Sequence, residues 1–190
     1  VGLFDQFRSI FAKASTPATP APAPEVKVAA LEDRRTRSRV NPREGTRILL
    51  IDDSPTIVTA LKRILRSAGC VTLEALDAES GLELAQNQHP ELIFLDIVLP
   101  GMNGFAALRA LRKDPMTKDI PVIMISGNEQ ATEQFFGTRI GADDFMKKPF
   151  SRFEVFARIE RLLDENQIPR RPKTASIPQP SQPAVAMQQA

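Results

Sequence analysis

Between Thr46 and Glu165 the apolar positions keep two rhythms that take turns. Short runs rich in consecutive apolar residues stand at Arg47–Ile51, Val71–Ala75, Leu92–Leu95, Pro121–Ile125 and Asp144–Lys147. Runs without alternation are how strands buried on both faces read, and such strands are parallel. Between the runs, apolar residues recur at helical spacing. Thr56–Ala68 carries Ile57, Val58, Leu61, Ile64 and Leu65, and Ala78–Gln88 carries Leu82, Leu84 and Ala85. Phe105–Lys113 and Ala131–Ile140 follow, and Arg152–Glu165 carries Phe153, Phe156, Ile159, Leu162 and Leu163. Gly69, His89-Pro90 and Gly141 close three of these helices. The pattern predicts five βα units.

Strict βα alternation requires a parallel sheet with helices on both faces. Five units suit the doubly wound, flavodoxin-like (βα)5 architecture with strand order 2-1-3-4-5. We expect this domain to occupy residues 46–166.

The flanks have another texture. Residues 1–14 place Leu3, Phe4, Phe7, Ile10, Phe11 and Ala14 on one helical face, which predicts a short amphipathic helix. Alone it is too short to be stable, so it needs a groove, a membrane surface or its own domain. A docking partner for residues 1–14 is one expectation. Residues 15–45 read as a linker, first rich in Pro and Ala, then basic with Arg34, Arg35, Arg37, Arg39 and Arg43. A Pro tract stays extended, and no aromatic residue lies among these arginines to stack on a base. Residues 167–190, dominated by Pro, Gln, Ser and Ala, are expected to be a disordered tail.

Charge sharpens the division. Thr46–Glu165 holds 14 Lys and Arg against 18 Asp and Glu, whereas each flank is net +3. An acidic domain is unsuited to gripping nucleic acid. The single cysteine, Cys70, rules out an intramolecular disulfide and a Cys-based metal cluster and reads as a small buried hydrophobe. No apolar run reaches the ~18 residues of a membrane span, and no signal-peptide pattern opens the chain. A soluble cytoplasmic protein with no transmembrane segment is expected.

The candidate chemistry lies where the strands end. Asp52-Asp53 follow the first strand, Asp96 the third, Ser126 the fourth and Lys148 the fifth. Open α/β sheets place ligands at that edge, beside the switch point between strands one and three. Singly, each residue reads as a turn or a helix cap. Together, three crowded carboxylates raise one another's pKa unless a cation intervenes. Mg2+ is a hard cation that takes a few carboxylates and keeps other positions for water and phosphate oxygens. With Lys148 it balances the pocket. A phosphoryl group would fill the remaining positions, with Asp96 as in-line nucleophile and Ser126 as hydrogen-bond donor.

These residues resemble the receiver domain of bacterial two-component response regulators. Asp52-Asp53-Ser54, Asp96 with Leu99-Pro100-Gly101-Met102-Asn103-Gly104, Ser126-Gly127, and Gly141 through Lys148-Pro149-Phe150 match its pattern in order and spacing. The resemblance implies a phosphoacceptor at Asp96, loaded by a histidine kinase or phosphotransfer protein. It implies Mg2+ held by Asp53, Asp96 and the Val98 backbone carbonyl, with Asp52 acting through water. It implies phosphate binding by Ser126 and Lys148, a cis bond before Pro149, and a switch of Ser126 and Phe145 whose face an output protein reads. Such a protein catalyses only its own phosphorylation and dephosphorylation. Phe145 stands where Tyr is common, so the ring is kept without a hydroxyl. The stretch Phe135-Phe136-Gly137-Thr138-Arg139-Ile140-Gly141 is similar to stand-alone receivers of type IV pilus (twitching) chemosensory systems.

Rival readings fit less well. A flavodoxin-like FMN site needs a hydroxyl- and Gly-rich loop after strand one, and Asp-Asp-Ser-Pro would repel its phosphate. A haloacid-dehalogenase-type phosphatase needs a second acid two residues after the nucleophile, where this chain has Val98. A phosphorylation-independent scaffold or adaptor, docking through the N-terminal helix, is the alternative. The Pro/Gln-rich stretch after the last helix cannot form a winged-helix DNA-binding domain, so the expected output is protein contact.

Overall fold

The computed structural model describes residues 40–137 and 141–172. The helix expected over 1–14, the linker over 15–39 and the tail from Lys173 lie outside the described residues. Five strands, β1 Arg47–Ile51, β2 Val71–Ala75, β3 Leu92–Asp96, β4 Val122–Ser126 and β5 Asp144–Lys147, form one sheet in the order β2-β1-β3-β4-β5. All four pairings are parallel. The helices are α1 Pro55–Arg66, α2 Ala78–Gln88, α3 Gly104–Lys113, α4 Glu129–Gly137 and α5 Arg152–Glu160. The doubly wound flavodoxin-like architecture is therefore present.

Alternate residues of each central strand enter opposite cores. Leu49, Ile51, Ile93 and Leu95 pack with Phe105, Leu108 and Phe135 of α3 and α4. Ile48, Leu50, Phe94 and Ile123 pack with Leu61 and Leu65 of α1 and Phe156 and Ile159 of α5. β3 and β4 are buried at every position, which is why they read as unbroken apolar runs. Helix starts are set by caps. The Asp77, Asn103 and Ser151 side chains accept from the Ser80, Ala106 and Glu154 amides at 2.7, 2.9 and 3.1 Å, satisfying donors the first turn leaves free. α1 instead begins on Pro55, whose missing N–H costs nothing there. Cys70 is buried, and burial, with Glu91 nearby, pushes its thiol up to about 11.

Two expectations change at the C-terminal side. The last helix stops at Glu160 and does not run to Glu165. The Asp164 side chain turns the chain by accepting from the Asn166 and Ile168 amides at 2.9 and 3.0 Å. Residues 167–172 then fold back along the domain instead of beginning a disordered tail. Pro169 bridges Leu163, and the Arg170 amide donates to the Leu162 carbonyl at 2.7 Å. No helix among the described residues is long and apolar enough to cross a membrane.

Candidate functional site

The ends of β1, β3 and β5 bring the acidic group and the lysine together. Asp52 continues the β1–β2 ladder through its amide, which donates to the Ala75 carbonyl at 3.1 Å. That fixes its side chain over the sheet edge, where Oδ1 accepts from the Ser54 amide at 3.0 Å. Asp96 is the last residue of β3 and is 4% exposed. Lys148 continues the β4–β5 ladder, its amide donating to the Ser126 carbonyl at 2.8 Å. Its ammonium lies 2.7 Å from Asp52 Oδ2 and 2.8 Å from Asp96 Oδ2. One carboxylate oxygen from each of Asp52, Asp53 and Asp96 lies within 4.8 Å of the others. Asp52 and Asp96 are buried and Asp53 is exposed.

Two buried carboxylates thus face one ammonium, with the exposed Asp53 beside them. Burial pushes the Asp96 carboxyl above the usual range; Lys148 draws it back part of the way, and Asp52 opposes that. Burial alone would lower Lys148, but its contacts with Asp52 and Asp96 outweigh it and hold the ammonium above its ordinary value. The charge left over is negative, the ligand atoms are oxygens, and Asp53 opens the group to solvent. This donor set fits a hard divalent cation such as Mg2+, and Asp53, Asp96 and Asp52 are the residues that would hold it.

The other residues singled out from sequence take distinct places. Ser126 is fully buried and engaged with its own loop, its Oγ accepting from the Asn128 amide at 3.1 Å and donating to the Asn128 carbonyl at 3.3 Å. Val98 is half-exposed beside Asp96, and its amide donates to Asp96 Oδ1 at 3.4 Å. Phe145 is 7% exposed and turned into the core. The Lys148–Pro149 bond is cis.

Sequence reasoning passed over two features. A Cβ on Gly104 would collide with the Asp96 carbonyl, so only glycine lets the β3–α3 loop close over Asp96. The second lies at the opposite end of the sheet. The fully buried Asp143 carboxylate accepts from Arg112 and from the Val122 amide, both at 2.8 Å, and from Arg171 at 3.0 Å. Arg112 also donates to the Gly141, Lys118 and Ile120 carbonyls. Burial raises the Asp143 carboxyl, with the Val122 amide and both guanidiniums pulling it back part of the way. Burial also lowers Arg112 to about 10, Asp143 opposing and Arg171 adding to it.

Comparison with known proteins gives a consistent answer. The response regulator receiver domain profile matches residues 48–160. Protein PilH of Pseudomonas aeruginosa is 39% identical over 117 residues, covering 62% of this chain and 97% of PilH. The chain spans about half the length of the transcriptional regulators it also matches. Among solved structures, the chemotaxis protein CheY4 of Vibrio cholerae superposes with a TM-score of 0.58 at 27% identity, over 63% of this chain and 99% of CheY4. The receiver domain of the sensor histidine kinase PA1611 of Pseudomonas aeruginosa, with magnesium in its active-site cleft, gives 0.56 at 30% identity, over 62% and 95% of the two chains.

Proposed function

Because the chain belongs to the response regulator receiver family, and so to the signalling phosphoacceptors, we propose that Asp96 is its phosphoacceptor. One observation carries this. Asp96 is the buried carboxylate at the end of the central strand, with Lys148 at 2.8 Å and two further carboxylates beside it. An Asp96 oxygen attacks the phosphorus of a phosphohistidine on a histidine kinase or phosphotransfer protein. The O–P bond forms as the N–P bond breaks, and the imidazole leaves with the electron pair. Lys148 stands where the phosphoryl oxygens arrive and offsets their charge. Asp53, Asp96 and the Val98 carbonyl, with Asp52 through water, would hold Mg2+, which would supply Lewis-acid neutralisation of those oxygens. Ser126 donates to a phosphoryl oxygen once its hydroxyl leaves the Asn128 carbonyl.

The protein catalyses only its own phosphorylation and dephosphorylation, and an output protein reads the altered face. The near-complete coverage of PilH supports an output made by protein contact, in a chemotaxis-like or twitching-motility pathway. Intact-mass measurement after incubation with acetyl phosphate and Mg2+ tests the assignment. We expect uptake of one phosphoryl group, lost in Asp96→Asn and lost on chelation of Mg2+. Equal uptake by the variant would remove Asp96 from this role.

A further inference from the structure

The carboxylates and the lysine of the site are carried by strands of different standing. Asp52 and Asp96 stand at the ends of β1 and β3, which are paired on both sides. Lys148 follows β5, which has four residues and, among the described residues, pairs with β4 alone. An edge strand bonds to one neighbour only, and a short one has few bonds to fix it along its own axis. Its two ends therefore decide where Lys148 stands. At the far end the Lys148 amide donates to the Ser126 carbonyl at 2.8 Å. At the near end Asp143 and Val122 exchange two bonds. The Asp143 amide donates to the Val122 carbonyl at 3.0 Å, and the Val122 amide donates to the Asp143 carboxylate at 2.8 Å.

That carboxylate is held by two guanidiniums, Arg112 of α3 and Arg171 of the returning segment 167–172. Arg171 donates from Nε to Asp143 Oδ1 at 3.0 Å, and from Nη1 and Nη2 to the Lys118 and Gly141 carbonyls, both at 3.3 Å. One rigid planar fork thus spans the loop before β4 and the loop before β5. It comes from outside residues 48–160, the stretch that matches the receiver profile. Without Arg171, Arg112 still pairs the Asp143 charge and still reaches the Gly141 and Lys118 carbonyls. The buried cluster would survive, but the start of β5 would be held less tightly. Lys148 acts by position, with its ammonium 2.7 Å from Asp52 and 2.8 Å from Asp96. Misplacing such a group by about 1 Å can cost on the order of a hundredfold in rate. The carboxylates that would hold Mg2+ stand on β1 and β3 and do not depend on β5.

We propose that Arg171 is a positioning residue for phosphoryl transfer. By holding the Asp143 carboxylate it sets β5 along β4, and so places the Lys148 ammonium against Asp96. This rests on the phosphoacceptor reading of Asp96. The test uses the full chain with Arg171→Gln and, as a comparison on the same segment, Arg170→Gln, which removes only a contact with Asp164 at 3.1 Å. Below the thermal transition of each protein, three quantities are compared with wild type: the rate of phosphoryl uptake from acetyl phosphate, Mg2+ affinity by titration, and amide exchange by residue. Arg171→Gln should slow uptake roughly tenfold and speed exchange at the Asp143 and Lys148 amides. Mg2+ affinity should be no weaker, and exchange at the Ile97 amide, which bonds β3 to the Ile125 carbonyl at 2.9 Å, should not change. Arg170→Gln should match wild type throughout. Wild-type uptake by Arg171→Gln, or an equal loss in Arg170→Gln, would overturn the positioning role and leave the phosphoacceptor reading intact. Mg2+ binding that weakens in step with uptake, or faster exchange at Ile97, would also overturn it, because either marks general loosening of the domain. Undiminished uptake by Asp96→Asn would overturn the phosphoacceptor reading, and the positioning role with it.

Discussion

The two ends of the sheet solve the problem of buried charge in opposite ways. At the base, one carboxylate, Asp143, meets two guanidiniums and a backbone amide, and Arg112 spends its other donors on three carbonyls. At the top, one ammonium bridges the two carboxylates Asp52 and Asp96, and a third, Asp53, stands beside them with no ammonium of its own in contact. Burying charge is tolerated only when it is paired and hydrogen-bonded. The base meets that condition from within the chain. The top meets it only in part, and Asp53 leaves it open to solvent. Saturation marks a structural cluster, and an open charge imbalance marks a site waiting for a ligand.

The largest effect should come from breaking the base. Arg112→Met leaves Asp143 buried with a single cation and takes the side-chain donor from the Ile120 carbonyl, while the Gly141 and Lys118 carbonyls keep Arg171. Removing one member of a buried pair costs about 3–5 kcal/mol, so the denaturant midpoint should fall steeply. Mg2+ should not restore it. Lys148→Met at the top should lose less stability, and Mg2+ should recover it. Equal losses with equal rescue would erase the distinction between the two ends.

The second effect divides the acidic pair. Asp53→Ala should weaken Mg2+ binding by on the order of tenfold, about 1.4 kcal/mol, because it removes a direct ligand. Asp52→Ala should weaken it less. Titration calorimetry showing the reverse order would exchange the two roles.

The third concerns pH. Burial holds Asp96 above its ordinary 3.8. A carboxyl raised in the folded state favours folding while protonated, below its unfolded pKa, and loses that contribution as pH rises through its folded value. In Mg2+-free buffer, Asp96→Asn should therefore be more stable than the wild type at neutral pH. The gap should close on acidification toward 3.8. A gap constant from pH 7 to 4, measured by thermal unfolding, would show that ionised Asp96 carries no penalty.

The smallest effect is kinetic. Val98 is half-exposed at the rim beside Asp96 and cannot orient an attacking water. Val98→Asn should speed loss of the phosphoryl group a few-fold. An unchanged decay rate would rule out water access at this position as the control.

The top of the molecule was legible from sequence and the base was not. Strands buried on both faces admit no charge, so Asp96 at the end of Leu92–Leu95 stands out as an interruption, and Lys148 is marked by its place directly after the fifth strand and before Pro149. Parallel order then gathers them at one edge without further information. Arg112 has no such contrast. It lies on an amphipathic helix among Arg109 and Lys113, where cations usually mark a solvated face. Its carboxylate partner, Asp143, lies just before β5 and is shared with Arg171, in a stretch whose Pro-rich composition masked six ordered residues. The turn-forming Asp164 and the apolar Ile168 were local signals for that return, and averaging composition over the whole tail concealed them. The Phe135–Phe136–Phe145 cluster also escaped, because side-chain packing between α4 and β5 leaves no periodic trace.

The return of residues 167–172 along the domain fixes where the described chain comes in and goes out. The Arg43 amide donates to the Gln167 carbonyl at 3.0 Å, and Arg171 docks at the start of β5. Both ends therefore leave the domain on the side of the strand starts, whereas the acidic group lies on the side of the strand ends. For anyone handling the protein, this is a natural orientation. A surface anchor, fluorophore or fused reporter joined directly at either end of the described residues would hold the domain by its floor and leave the acidic face turned toward the solution.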